Sequence, residues 1–97
     1  MLHIINKSPY DRPSLTSALN TGEGAVLLIE DGVYAATKGG KVEAQIKNAM
    51  GKFKFYALTQ DLEARGMADR VMDGITAVDY AGFVDLVAEY KTNQSWL

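Results

Sequence analysis

The stretch Ala25-Val26-Leu27-Leu28-Ile29, followed at once by Glu30-Asp31-Gly32, decides the fold of this chain. Its apolar residues stand in a row without a polar break, which is typical of a strand covered on both faces, as in a parallel sheet. The polar cluster that follows marks the carboxyl end of that strand, where the chain turns. The sequence therefore predicts a central, buried strand in an α/β sheet.

Further strands are predicted around this central one. Apolar or aromatic runs predict strands over 2–5, 53–58 and 75–78, and a short last strand at one sheet edge over 95–97. Apolar residues at helical spacing predict helices over 15–19, 42–50, 60–65 and 80–87. Strands that alternate with helices predict a single domain over 1–97, an open and mainly parallel sheet with helices on both faces, of flavodoxin-like or Rossmann-like form.

Two of the predicted helices carry start signals. Thr59 and Asp79 directly precede helical patterns and are the predicted N-caps of the third and fourth helices. In the fourth helix, Tyr80, Phe83, Val84 and Val87 are predicted to lie on one apolar stripe.

Length and charge restrict the possible partners. The chain has 97 residues and a net charge of −2, which argues against nucleic-acid binding through its own field. No apolar run approaches the roughly 18 residues that a membrane helix needs. We therefore expect no direct nucleic-acid partner, no membrane contact and a cytoplasmic location.

The sequence lacks the residues that several kinds of reactive site need. The chain contains no cysteine, so it has no thiolate to accept and hand on sulfur. A lone histidine, His3, leaves no hydrolase triad or zinc cluster, and its apolar strand predicts a core or strand-end position. The segment 38–41 fails the phosphate-loop spacing. We predict no catalytic, cofactor or metal residues, although motif alone leaves a flavin site open.

A binding edge is predicted where the parallel strands end, since the working surface of such folds lies there. A turn accounts for Gly32 but not for Val33 and Tyr34, which we expect to project from the loop, and a plain turn is the equally weighted alternative. Trp96 is expected to cover its own core in preference to a partner's. The predicted interface residues are Ser8, Pro9, Asp31, Gly32, Val33, Tyr34 and Trp96.

Several stretches together resemble one family. They are His3 with 6–9, Glu30-Asp31-Gly32-Val33-Tyr34-Ala35-Ala36, the segments 56–58, 61–62 and 64–66, and Asp79-Tyr80 leading to Trp96-Leu97. Over residues 2–97 the chain is similar to the TusB or DsrH family of small sulfur-relay subunits.

This resemblance implies a non-catalytic role in a cytoplasmic sulfurtransferase complex. Such proteins assemble with TusC/DsrF-like and TusD/DsrE-like subunits into a heterohexamer with two copies of each, in which the TusD/DsrE type carries the reactive cysteine. Some members have a cysteine in the first helix, at the place that Ala18 takes here. That departure favours the branch that thiolates the wobble uridine of transfer RNA.

Other interpretations stay open. The chain could be a DsrH-type subunit in dissimilatory sulfur oxidation. It could also be a homo-oligomeric α/β domain that binds a small molecule. When alone, it is expected to associate with itself through the same apolar surface.

Overall fold

The computed structural model describes residues 1–96. Five strands form one sheet: β1 (Leu2–Ile5), β2 (Gly24–Leu28), β3 (Phe53–Leu58), β4 (Ile75–Val78) and β5 (Asn93–Trp96). The helices are α1 (Ser14–Leu19), α2 (Glu43–Ala49), α3 (Thr59–Ala64), α4 (Tyr80–Glu89) and a 3-10 helix over Glu30–Ala36. All strand pairs are parallel, in the order β4-β3-β2-β1-β5. The predicted open α/β sheet is confirmed. The predicted edge strand is present but begins two residues earlier, at Asn93, and residue 97 of that prediction lies outside the described residues.

The strand order places the helices unevenly. The chain moves from β1 to β4 one strand at a time in one direction, and α4 then returns it to β5 on the other side of β1. Because parallel crossovers are right-handed, reversing the direction puts the connecting helix on the opposite face of the sheet. One face therefore receives α1, α2, α3 and the 3-10 helix, whereas the other receives α4 alone.

Two apolar clusters confirm this division. On the first face, Val26 and Phe55 of the sheet belong to one buried cluster with Leu15 of α1, Ile46 of α2 and Leu62 of α3. We call it the three-helix face. On the second, Leu2, Ala25 and Leu27 cluster with Leu86 of α4. We call this the one-helix face. Successive residues of β2 thus point to opposite faces, and both faces are covered at this strand.

The ends and apolar faces of two helices test the predictions made from the sequence. The Oδ1 atom of Asp79 accepts a hydrogen bond from the backbone N–H of Gly82 at 2.9 Å, so its predicted capping role is confirmed. The prediction for Thr59 is wrong, because α3 begins one residue earlier and no side chain caps it. The predicted stripe of α4 is covered unequally: Phe83 and Val87 pack against the core, whereas Tyr80 and Val84 are 58% and 64% exposed. No helix within residues 1–96 has the length and apolarity to cross a membrane.

Candidate interaction surface at the strand ends

The segment after β2 is a 3-10 helix and not an open loop. It begins directly after Ile29, and Glu30 adopts a positive φ of 49° to start it. Gly32 then lies against the end of β1, so closely that a Cβ atom there would overlap the carbonyl oxygen of Ile5. Only glycine fits at this approach without a backbone shift.

Burial corrects part of the predicted interface. Val33 has no exposed area and belongs to the core of the three-helix face, so the expectation that it projects from the loop is wrong. Gly32 is buried as well. A 3-10 turn of three residues sends successive side chains in different directions, and this one sends Val33 inward. Tyr34, at 38% exposed, is the residue of this segment whose large apolar side chain reaches the surface.

An ion-pair network fixes the 3-10 helix to α3. The Nε and Nη2 atoms of Arg65 donate to Asp31 Oδ1 at 3.0 and 2.9 Å. Asp61 accepts a hydrogen bond at 2.7 Å from the backbone N–H of Glu30, and its other oxygen lies 3.7 Å from Arg65. Asp31 therefore holds Tyr34's segment in place. From the sequence, Arg65 was placed only at the end of a helix. The i,i+4 spacing of Asp61 and Arg65 is the pattern that could have indicated their ion pair.

An open cleft lies beside Tyr34. Its volume is about 540 Å³, and its walls are two tyrosines, Tyr10 and Tyr34, the turn 37–40, and the segment 65–67 with Arg70. We call it the Tyr10–Tyr34 cleft. Tyr10 is 52% exposed, and its hydroxyl oxygen accepts a hydrogen bond from the backbone N–H of Lys41 at 3.3 Å. Both rings are accessible from outside, and the ring of Tyr10 is held by its hydroxyl group.

Ser8 and Pro9 support this cleft and do not line it. Ser8 is buried, and its Oγ atom accepts a hydrogen bond from the backbone N–H of Tyr10 at 3.2 Å. Its carbonyl oxygen accepts from the N–H groups of Asp11 and Arg12. Pro9 is half-buried. The turn that Ser8 organises thus sets the direction of Tyr10.

Trp96 and His3 form a separate hydrogen-bonded chain inside the protein. Trp96 Nε1 donates to His3 Nδ1 at 3.1 Å, and His3 Nε2 lies 3.1 Å from the hydroxyl oxygen of Thr21. Thr21 in turn donates to the carbonyl oxygen of Ala18 at 2.7 Å. Because Nδ1 accepts, the imidazole is neutral with its proton on Nε2. Burial, with a smaller effect of the amino terminus, lowers the pKa of His3.

This chain of hydrogen bonds decides what Trp96 does. The indole is half-buried and packs against the core of the three-helix face, and it does not line the Tyr10–Tyr34 cleft. Trp96 therefore fastens β5 to its own core, and His3 is a core histidine, as the sequence indicated. Neither residue joins the surface around Tyr34.

The fold and this surface together define a class of protein. It is an α/β chain with an aromatic and charged cleft at the strand ends and no thiol in its sequence. Within residues 1–96, no group of three or more acidic or histidine side chains is arranged to hold a metal ion. The family model described as "DsrH like protein" matches residues 7–93. The chain belongs to the DsrH/TusB family of sulfur-relay subunits.

Relatives in this family align over nearly the whole chain. The chain is 37% identical to Protein TusB of Escherichia coli O81 (strain ED1a) over 98 aligned residues, which cover 99% of this chain and 100% of that protein. It is 36% identical to Protein TusB of Shigella flexneri with the same coverage. The resemblance found in the sequence is thereby confirmed.

Two solved structures share the fold at low identity. MTH1491 of Methanobacterium thermoautotrophicum, a protein of unknown function, superposes with a TM-score of 0.81 at 18% identity, over 98% of this chain and 96% of that one. Protein Tm0979 of Thermotoga maritima superposes with a TM-score of 0.62 at 22% identity, over 95% and 97%. These likenesses establish the architecture and carry no functional assignment.

Proposed function

We propose that this chain is a non-catalytic subunit of a sulfurtransferase complex that supports 2-thiolation of the wobble uridine in transfer RNA. The observation that carries the proposal is membership of the DsrH/TusB family in a chain without a single cysteine. Sulfur transfer between proteins needs a thiolate that attacks and accepts the sulfur. A family member without one contributes structure and recognition to a relay whose chemistry takes place on another subunit.

The surroundings of Ala18 support this assignment. Ala18 takes the place in the first helix where some family members have a cysteine, and here it has no exposed area. Its carbonyl group is engaged by Thr21, which is itself tied to His3 and Trp96. The position is thus part of a packed core, which suits a structural role.

The proposed partners are the TusC/DsrF-like and TusD/DsrE-like subunits, in a heterohexamer with two copies of each. Exposed aromatic side chains at the surface are the usual anchors of protein interfaces. Tyr34 is such a residue on a rigid element, because Asp31 fixes the 3-10 helix to Arg65 at the end of α3. We propose Tyr34 as a contact residue of the assembly.

Three measurements test the proposal in sequence. The chain is coexpressed with the two related subunits from the same organism, and the purified assembly is sized by sedimentation. The expected result is one hexameric species that contains all three chains. The Tyr34→Glu variant places an uncompensated charge in the proposed contact and should abolish assembly while leaving the circular dichroism spectrum unchanged. A clean wild-type monomer in the presence of both subunits would overturn the proposal.

The chemical role is tested by intact mass spectrometry under non-reducing conditions. After incubation with a persulfide donor, the wild-type chain should gain no sulfur atom. The matched control is Asn20→Cys, which places a thiol at an exposed position beside α1 and should gain sulfur. A wild-type chain that gains sulfur would contradict the non-catalytic role.

The pathway is tested in cells. Deletion of the gene should remove 2-thiouridine from the wobble position of the affected transfer RNAs, and the wild-type gene should restore it. If the modification persists while oxidation of stored sulfur is lost, the alternative branch, dissimilatory sulfur oxidation, takes the place of the proposed one. The cytoplasmic location stays a prediction.

A further inference from the structure

Two cations in the Tyr10–Tyr34 cleft are held opposite each other by the backbone. Thr37 and Val71 form an antiparallel bridge between the segment after the 3-10 helix and the segment before β4. The backbone N–H of Lys38 donates to the carbonyl oxygen of Arg70 at 2.8 Å, and Met72 donates to Ala36 at 2.8 Å. Lys38 and Arg70 are therefore directly opposed in a short two-stranded pairing, with both side chains exposed on the cleft.

This arrangement has an energetic cost. Like charges directly opposite each other on paired strands destabilise the pairing. The ion pairs within residues 1–96 involve Lys47 or Arg65 as the cation, and none of them involves Lys38 or Arg70. Arg65 also lines the cleft, but Asp31 and Asp61 already neutralise it. An anion placed between Lys38 and Arg70 would attract both cations and offset the repulsion between them.

The remaining walls indicate what kind of molecule carries the anion. Tyr10 and Tyr34 provide accessible aromatic rings, and Met67 with the two arginines completes a set of residue types that are enriched in protein interfaces. Gly40 leaves room for the hydroxyl group of Tyr10, which a Cβ atom there would approach to 2.9 Å. The cleft is thus shaped for contact through rings and cations together.

The charge of the whole chain favours a protein over a nucleic acid. At a net charge of −2, its long-range field repels a polyanion, whereas a short segment with a few carboxylates meets mainly the local cations. We propose that the Tyr10–Tyr34 cleft binds an acidic segment of a partner subunit, whose carboxylates lie between Lys38 and Arg70. This inference rests on the proposed function for the identity of the partner and extends it to a specific site.

The experiment measures the affinity of this chain for the purified pair of related subunits. The test variant is Lys38→Glu with Arg70→Glu, and Lys38→Gln with Arg70→Gln is its neutral counterpart. The matched control is Lys52→Glu with Lys91→Glu, which makes the same charge change at two exposed lysines outside the cleft. Circular dichroism and melting temperature verify that each variant folds.

The expected results are graded. The glutamate pair should weaken binding by roughly 100-fold and the glutamine pair by roughly 10-fold, whereas the control stays within about threefold of the wild type. Raising the salt concentration from about 0.05 to about 0.3 M should weaken wild-type binding, leave binding of the glutamine pair nearly unchanged, and strengthen binding of the glutamate pair because its repulsion of the carboxylates is screened. Equal affinities for the glutamate pair and the control would overturn the proposal.

A second measurement separates failure of the site from failure of the proposed function. If the wild-type chain does not bind the two subunits, the proposed function falls, and the cleft is tested by nuclear magnetic resonance with a synthetic peptide of alternating acidic and aromatic residues. Shifts at the amides of Lys38, Gly39, Gly40 and Arg70 that vanish in the glutamate pair would support the acidic-segment site. Absence of these shifts would overturn it, as would tighter binding of a single-stranded oligonucleotide of about ten residues.

Discussion

The two faces of the sheet differ in how completely they are covered. On the three-helix face, sheet residues such as Val26 and Leu28 have no exposed area. On the one-helix face, Leu27 is equally buried beneath α4, but Tyr56 and Val78 are only half-buried. Adjacent residues of the same strand thus meet different environments.

The dimensions of the elements explain this difference. Five parallel strands about 4.8 Å apart make a sheet roughly 19 Å wide between its outer strands, whereas one helix with its side chains is about 10 to 12 Å across. A single helix therefore covers about half of the face. Most of the packing energy of this fold therefore comes from the three-helix face, whereas the one-helix face retains apolar surface.

The largest expected effect compares neighbours on β3. Phe55 is 2% exposed on the three-helix face. Phe55→Ala leaves a cavity there and should lower the free energy of unfolding by about 3–5 kcal/mol. Tyr56→Ala, on the half-covered face, should cost only about 1–2 kcal/mol because less area is lost from burial. Urea unfolding at equal protein concentration measures both. Equal losses would show that the two faces contribute alike.

A smaller effect is expected where the 3-10 helix meets β1. In Gly32→Ala, the new methyl group would overlap the carbonyl oxygen of Ile5, so the backbone must shift at a cost of about 1–3 kcal/mol. The control is Gly51→Ala, where no heavy atom lies within 4 Å and stability should change by less than about 0.5 kcal/mol. Thermal and urea unfolding should separate the two variants. A neutral Gly32→Ala would mean that the three-helix face tolerates movement of this element.

The third prediction concerns pH and His3, the histidine of β1 that accepts a hydrogen bond from Trp96 of β5. The pKa of His3 in the folded protein lies below its ordinary value of 6.5, mainly through burial. Below pH 6.5 the unfolded chain binds more protons than the folded one, so stability is lost as the pH falls from 6.5 towards the folded pKa, and it is retained above pH 6.5. Protonation would also remove the acceptor that Trp96 uses.

The measurement compares the wild type with His3→Gln, whose amide oxygen can still accept from Trp96. Between about pH 7.5 and about pH 5, the wild-type free energy of unfolding should fall more steeply than that of the variant. The titration of exposed carboxylates is common to both proteins and cancels in the difference. Identical slopes would show that His3 does not link β5 to the core through its neutral form.

The smallest effect is expected on the outer surface of α4. Val84 is 64% exposed, so Val84→Ala should change the free energy of unfolding of the isolated chain by less than about 0.5 kcal/mol. Leu86→Ala, two residues further on and 8% exposed, should cost about 2–3 kcal/mol. Denaturation under dilute conditions distinguishes them. A large loss at Val84 would show that the helix packs through a different stripe.

The helix α4 also shows the limits of periodicity. Helical spacing predicted that Tyr80, Phe83, Val84 and Val87 share one apolar stripe, but the helix buries Leu86 most deeply and leaves Tyr80 and Val84 exposed. Periodicity identifies an apolar sector of a helix but not how much of that sector a neighbour covers. Where one helix lies alone on a sheet face, the apolar sector of the helix is wider than the part that contacts the sheet.

The surface at the strand ends was only partly predictable. The carboxyl end of β2 was identified, and Asp31 and Tyr34 lie on the same short segment as expected. Val33 was misplaced because the orientation of side chains in a 3-10 helix differs from that in an extended loop. The pairing of Lys38 with Arg70 was not predicted at all, because it joins two connections that are 32 positions apart through a single bridge between Thr37 and Val71.

Four features followed from the residues alone: the alternation of strands and helices, the buried parallel strand β2, the cap at Asp79 and the lack of a thiol. They depend on residue type and short-range spacing, which can be read along the chain. Three others became visible only in the folded molecule: α4 covers one face alone, Trp96 reaches His3, and Lys38 lies opposite Arg70. Such contacts join residues far apart in the chain, and they depend on the order of the strands in the sheet.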